Sequence, residues 1–242
     1  MADEFGELIV FPDADALARG AALWLKDRLA PLQGRIAIAL SGGSTPRRLF
    51  QLMGSEFKDE FPWERMHFFW GDERFVPHDD PDSNFHMANE ALLSKIVVPS
   101  GNIQPVPTEN IAPEESARAY EHELQAFYGA TALQPGKFLF DVQLLGLGED
   151  GHTASLIPGQ PVLDERTRWV APVSQGRPET RITLTYPPIE SSRHIAFLIS
   201  GAAKRDALHK VRARSADLPA ARLRPEGDLT FLVDRAAAGE AG

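Results

Sequence analysis

The chain has 242 residues, 43% hydrophobic and 24% charged, with a formal net charge of −9. That length can bury a sizeable core, and the acidic balance argues against a general nucleic-acid binder, which would present a basic face. With no cysteine, disulfides, thiolate metal sites and cysteine nucleophiles are excluded.

Residues 8–11 read as a short first strand. Asp13 is placed to cap a helix through about Leu32, with Leu17, Ala21, Leu25 and Leu29 on one face and Gly34 closing it. Residues 35–40 form a second apolar strand, followed at once by Ser41-Gly42-Gly43-Ser44-Thr45-Pro46. Pro46 suits a first helical turn, and Leu49, Phe50 and Leu52 continue that helix. A third strand at 66–70 runs into Gly71-Asp72-Glu73-Arg74, then a polar loop to Asn84 and a helix through Lys95. Residues 97–112 are proline-rich and irregular, and a helix is predicted at 114–128 with Ala117, Tyr120, Leu124 and Phe127 in a stripe.

Residues 138–145 form an apolar run broken by Asp141 and Gln143, and end in Gly146-Leu147-Gly148-Glu149-Asp150-Gly151-His152-Thr153. Strands are predicted at 169–173, 181–186, 193–200 and 229–233, and a helix at 201–214. Strands alternating with helices imply an α/β fold with a mostly parallel sheet. No repeat, low-complexity tract or linker interrupts it, so one domain over 1–242 is expected. No apolar run reaches membrane-spanning length, and the start, Met1-Ala2-Asp3-Glu4, lacks a signal-peptide pattern. A cytoplasmic protein with neither membrane nor nucleic-acid partner is expected.

The chemistry gathers at strand ends, where open α/β sheets bind ligands. Ser41, Gly42, Gly43, Ser44 and Thr45 offer hydroxyls and backbone N–H groups at a helix start, which suits a phosphate. The plainer reading is a tight turn with a helix cap. A third makes Ser41 a nucleophile, since Ala39-Leu40-Ser41-Gly42-Gly43 resembles a serine elbow, yet His194 lies in an apolar strand and His209 in a helix. Lys204, in the first turn after Gly201, opposes the helix dipole unless an anion sits there; otherwise it is a solvated lysine. Arg74 can clamp a phosphate or carboxylate with its planar fork, or pair with Asp79, Asp80 or Asp82. Arg181 heads a strand and is a further binding candidate, or a solvated strand-end arginine.

His152 is the candidate base, with Asp150 two residues before it able to fix its tautomer. Histidines standing alone are more often structural, and Glu149 is readable as a solvated neighbour. The acidic loop 80–84 fails as a calcium loop, because Phe85 stands where glycine is required and Ala91 where a glutamate belongs. His122-Glu123 lacks the second histidine of a zinc helix, Ala126 taking its place. No metal is expected.

Together these residues resemble the 6-phosphogluconolactonase family. The matching motifs, in order, are Leu40–Pro46, Trp70–Arg74, Gly146–Leu156 and Ser200–Lys204, and the resemblance spans about Leu8 to Val233. The Glu-Asp-Gly-His-Thr-Ala-Ser run is its most specific part. The resemblance implies an open, Rossmann-like three-layer fold related to the glucosamine-6-phosphate deaminases. Those deaminases typically follow the shared histidine with Ile-Ala-Phe-Asn-Glu and carry Asp-Glu-Tyr where this chain has Asp72-Glu73-Arg74; both departures favour the lactonase.

What the resemblance implies is hydrolysis of 6-phospho-D-glucono-1,5-lactone in the oxidative pentose phosphate pathway, without metal or cofactor. On that expectation Gly42, Gly43, Ser44, Thr45, Lys204 and Arg181 meet the phosphate, with Ser41 beside them. Asp72 meets sugar hydroxyls, Arg74 or backbone N–H groups meet the oxyanion, and His152 with Asp150 activates water. A deaminase or isomerase, a serine esterase using Ser41, and a non-catalytic sugar-phosphate sensor are the alternatives.

Overall fold

The computed structural model describes residues 5–214 and 217–239. Its strands are β1 (Glu7–Phe11), β2 (Ile36–Leu40), β3 (Met66–Trp70), β4 (Asp72–Arg74), β5 (Phe140–Leu145), β6 (Val170–Val173), β7 (Arg181–Leu184), β8 (Ser192–Ile199) and β9 (Asp228–Asp234). Its α-helices are α1 (Ala14–Leu29), α2 (Ser44–Met53), α3 (Asn84–Ala91), α4 (Pro113–Tyr128), α5 (Tyr186–Glu190), α6 (Arg205–Arg212) and α7 (Arg235–Ala238).

Six strands form one sheet in the order β1-β9-β8-β5-β2-β3, and every pairing is parallel. Such a sheet is covered on both faces, so its strands read as apolar runs, and β2 is buried at every position. The central strand β5 tolerates Asp141 because its Oδ2 accepts the Ala37 amide at 2.9 Å, where β2 has not yet begun to pair with β5. Helices flank this sheet: α1 packs on α2, β1, β8 and β9, α2 on α3 and β8, and α7 on β1 and β9.

A second sheet, β4-β7-β6, is antiparallel and was not separable in sequence from the first. Gly71 joins the two, donating to the Leu40 carbonyl at 2.9 Å and accepting from the Leu184 amide at 2.9 Å. Helix α4 packs against β6 and β7. Its Tyr120 hydroxyl accepts from the Trp70 amide (2.7 Å), while Glu121 accepts from the amides of Trp169 and Val170.

Several boundaries differ from expectation. Helix α1 ends at Leu29 instead of Leu32, because Pro31 has no N–H to continue it. The predicted strand 181–186 ends at Leu184, and Tyr186-Pro187-Pro188 starts α5, prolines being suited to a first turn and unable to donate in a ladder. Helix α3 stops at Ala91, with a 3-10 turn at Leu93–Lys95. The segment after Gly201 opens as a 3-10 turn, Ala202–Lys204, before α6 begins.

Candidate active site

Three neighbouring parallel strands, β8, β5 and β2, end side by side, and their following loops line one cavity of ≈ 270 Å³. Helix α2 begins there, just after Gly43, whose φ of 103° favours glycine. No side chain caps this helix start and no acidic residue lies in its first turn, so its N–H groups and dipole are available to an anion. Beyond β8 the geometry recurs: Gly201 has φ 97°, and again no side chain caps the turn that follows. Ser41, Gly42, Gly43, Ser44 and Thr45 all line the cavity, as do Ser200 and Lys204.

The second sheet supplies the opposite wall. Its register sets Arg74 directly across from Arg181, and both line the cavity with Lys204. Two cations facing each other across strands repel, as do three around one small cavity, unless an anion lies between them. Arg181 is offset in part by Glu179 at 3.2 Å, and the Arg74 guanidinium donates to the Asp82 carbonyl. Among the described residues Lys204 has no carboxylate partner. In a chain of net charge −9, three cations thus share one cavity.

The loop after β5 supplies the proton-transfer pair. Asp150 Oδ1 lies 2.5 Å from His152 Nδ1 and accepts the His152 amide at 3.1 Å. This assigns the ring proton to Nδ1, leaving Nε2 to accept a proton. The guanidinium of Arg177 donates to Asp150 Oδ2 at 2.9 Å and lies 3.0 Å from Nδ1. With Nδ1 donating to Asp150, that second contact is proximity and not a hydrogen bond. Burial by itself would raise the Asp150 carboxyl; the hydrogen bonds from His152 and Arg177 outweigh it and hold the group well below the usual carboxylate range. Asp150 does not line the cavity, whereas His152 does, so the carboxylate stands behind the imidazole.

Glycine is required for this pairing. A Cβ on Gly148 would lie 1.9 Å from His152 Nδ1 and 2.5 Å from Asp150 Oδ1. Gly148→Ala is therefore expected to cut turnover about 10²-fold by displacing the imidazole while the fold persists, checked by steady-state rates alongside thermal unfolding.

Sequence reasoning missed several supporting residues. Ser155 Oγ donates to Asp72 Oδ2 at 2.6 Å, fixing a carboxylate that lines the cavity. Asn84 donates to the Asp72 carbonyl (2.8 Å) and lies so close to Gly42 that a Cβ there would come within 1.9 Å of it. Buried Asp234 accepts from Ser200 Oγ at 2.5 Å and from the Gly201 amide at 3.0 Å, bracing the loop that carries Lys204. Ser41 donates only to the neighbouring Gly42 carbonyl, at 3.4 Å. No histidine reaches it among the described residues, so the serine-nucleophile reading lacks its activating base.

The family model described as glucosamine-6-phosphate isomerases/6-phosphogluconolactonase matches residues 12–232. The chain belongs to this family. Among relatives of the isomerase/lactonase family, a protein of Nostoc sp. named 6-phosphogluconolactonase is 44% identical, covering 96% of each chain. The solved 6-phosphogluconolactonase of Trypanosoma cruzi is 31% identical with a TM-score of 0.84, over 97% of this chain and 96% of that one. A monomeric glucosamine-6-phosphate deaminase shares the fold, with a TM-score of 0.79 at 24% identity over 96% of this chain and 99% of that one. The expected kinship of the two folds is thereby met.

Proposed function

We propose that this protein hydrolyses 6-phospho-D-glucono-1,5-lactone to 6-phosphogluconate in the oxidative pentose phosphate pathway. The observation that carries the reading is the placement of one imidazole, backed by a carboxylate, and three cations around a single cavity with two uncapped helix starts. The lactonase name of the 44%-identical relative supports it. A phosphate accounts for the cations, and an activated ester needs only a water, a base and charge stabilisation.

In this scheme the phosphate lies among the Gly42–Thr45 loop, Lys204 and Arg181. His152 Nε2 takes a proton from water as its oxygen attacks the lactone carbonyl. Arg74 or backbone N–H groups stabilise the tetrahedral oxyanion. As the bond from the carbonyl carbon to the ring oxygen breaks, protonated His152 returns its proton to that oxygen. Asp72, held by Ser155, hydrogen-bonds sugar hydroxyls through its free oxygen.

The test supplies freshly made lactone and compares acid release with the spontaneous rate. Acceleration proportional to enzyme is expected; its absence, or ammonia release from glucosamine 6-phosphate instead, would overturn the reading. Lys204→Ala is expected to raise KM about tenfold or more with kcat largely kept, as for one charge-assisted hydrogen bond lost in ground and transition states alike. An unchanged KM would remove Lys204 from the phosphate site.

A further inference from the structure

Arg177 lies in the loop between β6 and β7, within the stretch Ser174-Gln175-Gly176-Arg177-Pro178-Glu179-Thr180. Local features set its position. Gly176 has φ 82°, a backbone state that favours glycine, and its open side sits against Gln160 and Ile157, either of which a Cβ would approach to 3.2 Å. Arg177 donates through one terminal nitrogen to the Gly176 carbonyl at 2.8 Å, so the side chain folds back over its own loop. The other terminal nitrogen reaches Asp150 Oδ2 at 2.9 Å.

The result is a carboxylate held at both oxygens. Oδ1 receives the His152 ring and amide, and Oδ2 receives Arg177. A carboxylate bound at one oxygen can rotate and offer either oxygen to the imidazole. One bound at both cannot, and the ring tautomer and orientation are fixed with it. Arg177 does not line the cavity; it hydrogen-bonds Asp150 and lies 3.0 Å from His152 Nδ1, so it reaches the reacting atoms only through the Asp150–His152 pair. The Asp150 carboxyl is also held ionised partly by this guanidinium.

From this geometry we infer that Arg177 is a positioning residue, which locks Asp150 behind His152 and so keeps the base oriented for proton transfer. The inference rests on His152 being the base. Both partners are partly exposed, with side-chain exposures of 31% for Arg177 and 41% for Asp150, so solvent screens the pair. A loss on the order of tenfold is expected, the lower end for removal of an outer partner of a functional histidine.

The experiment compares kcat and KM on fresh 6-phosphogluconolactone for the wild type, Arg177→Met, Arg177→Lys, Asp150→Asn and the Asp150→Asn/Arg177→Met double variant, with thermal unfolding of each. Arg177→Met is expected to lower kcat about tenfold with KM little changed. Arg177→Lys should restore most of it, because a single nitrogen makes the contact with Asp150. In the Asp150→Asn background, Arg177→Met should have a much smaller effect on kcat, since the charged hydrogen bond through which it holds the carboxylate is already gone.

An equal loss from Arg177→Met in both backgrounds would overturn the inference. So would a change confined to KM, which would make Arg177 a substrate contact, or an unchanged kcat. His152→Ala serves as the control. If it is inactive while Arg177→Met is fully active, only the positioning role fails; if it remains active, the reading of His152 as base fails.

Discussion

Replacing His152 with alanine is expected to lower kcat for lactone opening by about 10²–10⁴-fold, the usual contribution of a positioned general acid–base group. The ring has two tasks in the scheme, accepting a proton from water and returning it to the departing oxygen. Asp150 is the nearest carboxylate, but both its oxygens are engaged and it stands outside the cavity wall. The loss should fall on kcat more than on KM, because the cations of the phosphate end are untouched. Stability should change little, since His152 is partly exposed and contributes one short loop contact. Rates must be corrected for spontaneous opening of the lactone, which sets the floor of the assay. Turnover near that of the wild type would remove His152 from proton transfer. Asp150→Asn should keep part of the activity, because it removes the orienting charge and leaves the ring in place.

The parallel sheet was legible because its strands read as apolar runs of the right length, even β1, which is only half-buried at the sheet edge. The Asp150–His152 pair was legible for a different reason: two residues apart in a glycine-rich loop, the groups can meet through local geometry alone. The second sheet was not legible as a sheet of its own, although two of its three strands, β6 and β7, fall where strands are expected. Asp72-Glu73-Arg74 is polar and three residues long, and it is a strand only because it pairs with Arg181–Leu184, far along the chain. For the same reason the facing of Arg74 and Arg181 could not be foreseen; both were binding candidates, yet nothing local says that they share one wall. Asn84 and Asp234 carry no local signal either, since their work is to hold other segments. Arg177, between Gly176 and Pro178, belongs to no motif that would single it out. Cooperation between distant segments, and not the identity of the groups doing the chemistry, is what required the three-dimensional structure.

That cooperation has a keystone outside the cavity, and its removal is expected to cost the fold about 3 kcal/mol. Glu73 is buried between the two residues of β4 that line the cavity, Asp72 and Arg74. Its Oε1 accepts the amides of Arg74 and Asn84, each at 2.7 Å, and its Oε2 accepts the Phe85 amide at 2.8 Å and the Ser83 hydroxyl at 3.0 Å. Burial pushes this carboxyl up, while the four donors pull it back. Four donors on two oxygens match an acceptor-only carboxylate. The interaction ties β4 to the first turn of α3, whose Asn84 in turn packs against Gly42. Glu73→Ala strands three backbone N–H groups and a hydroxyl, at about 1–3 kcal/mol for each that water cannot reach. Partial relaxation and water entry bring the expected total to about 3 kcal/mol, or a fall of about 6–12 °C in Tm for a chain of this size. Glu73→Gln should cost roughly half as much, because its amide group turns a donor toward one pair of donors while its oxygen serves the other. Denaturant unfolding of both variants checks this, and a loss below about 1 kcal/mol for the alanine variant would show that α3 holds β4 by packing alone. The folded fraction of Glu73→Ala should also show a raised KM, since Asp72, Arg74 and Asn84 lose their common anchor while His152 and Asp150 keep theirs.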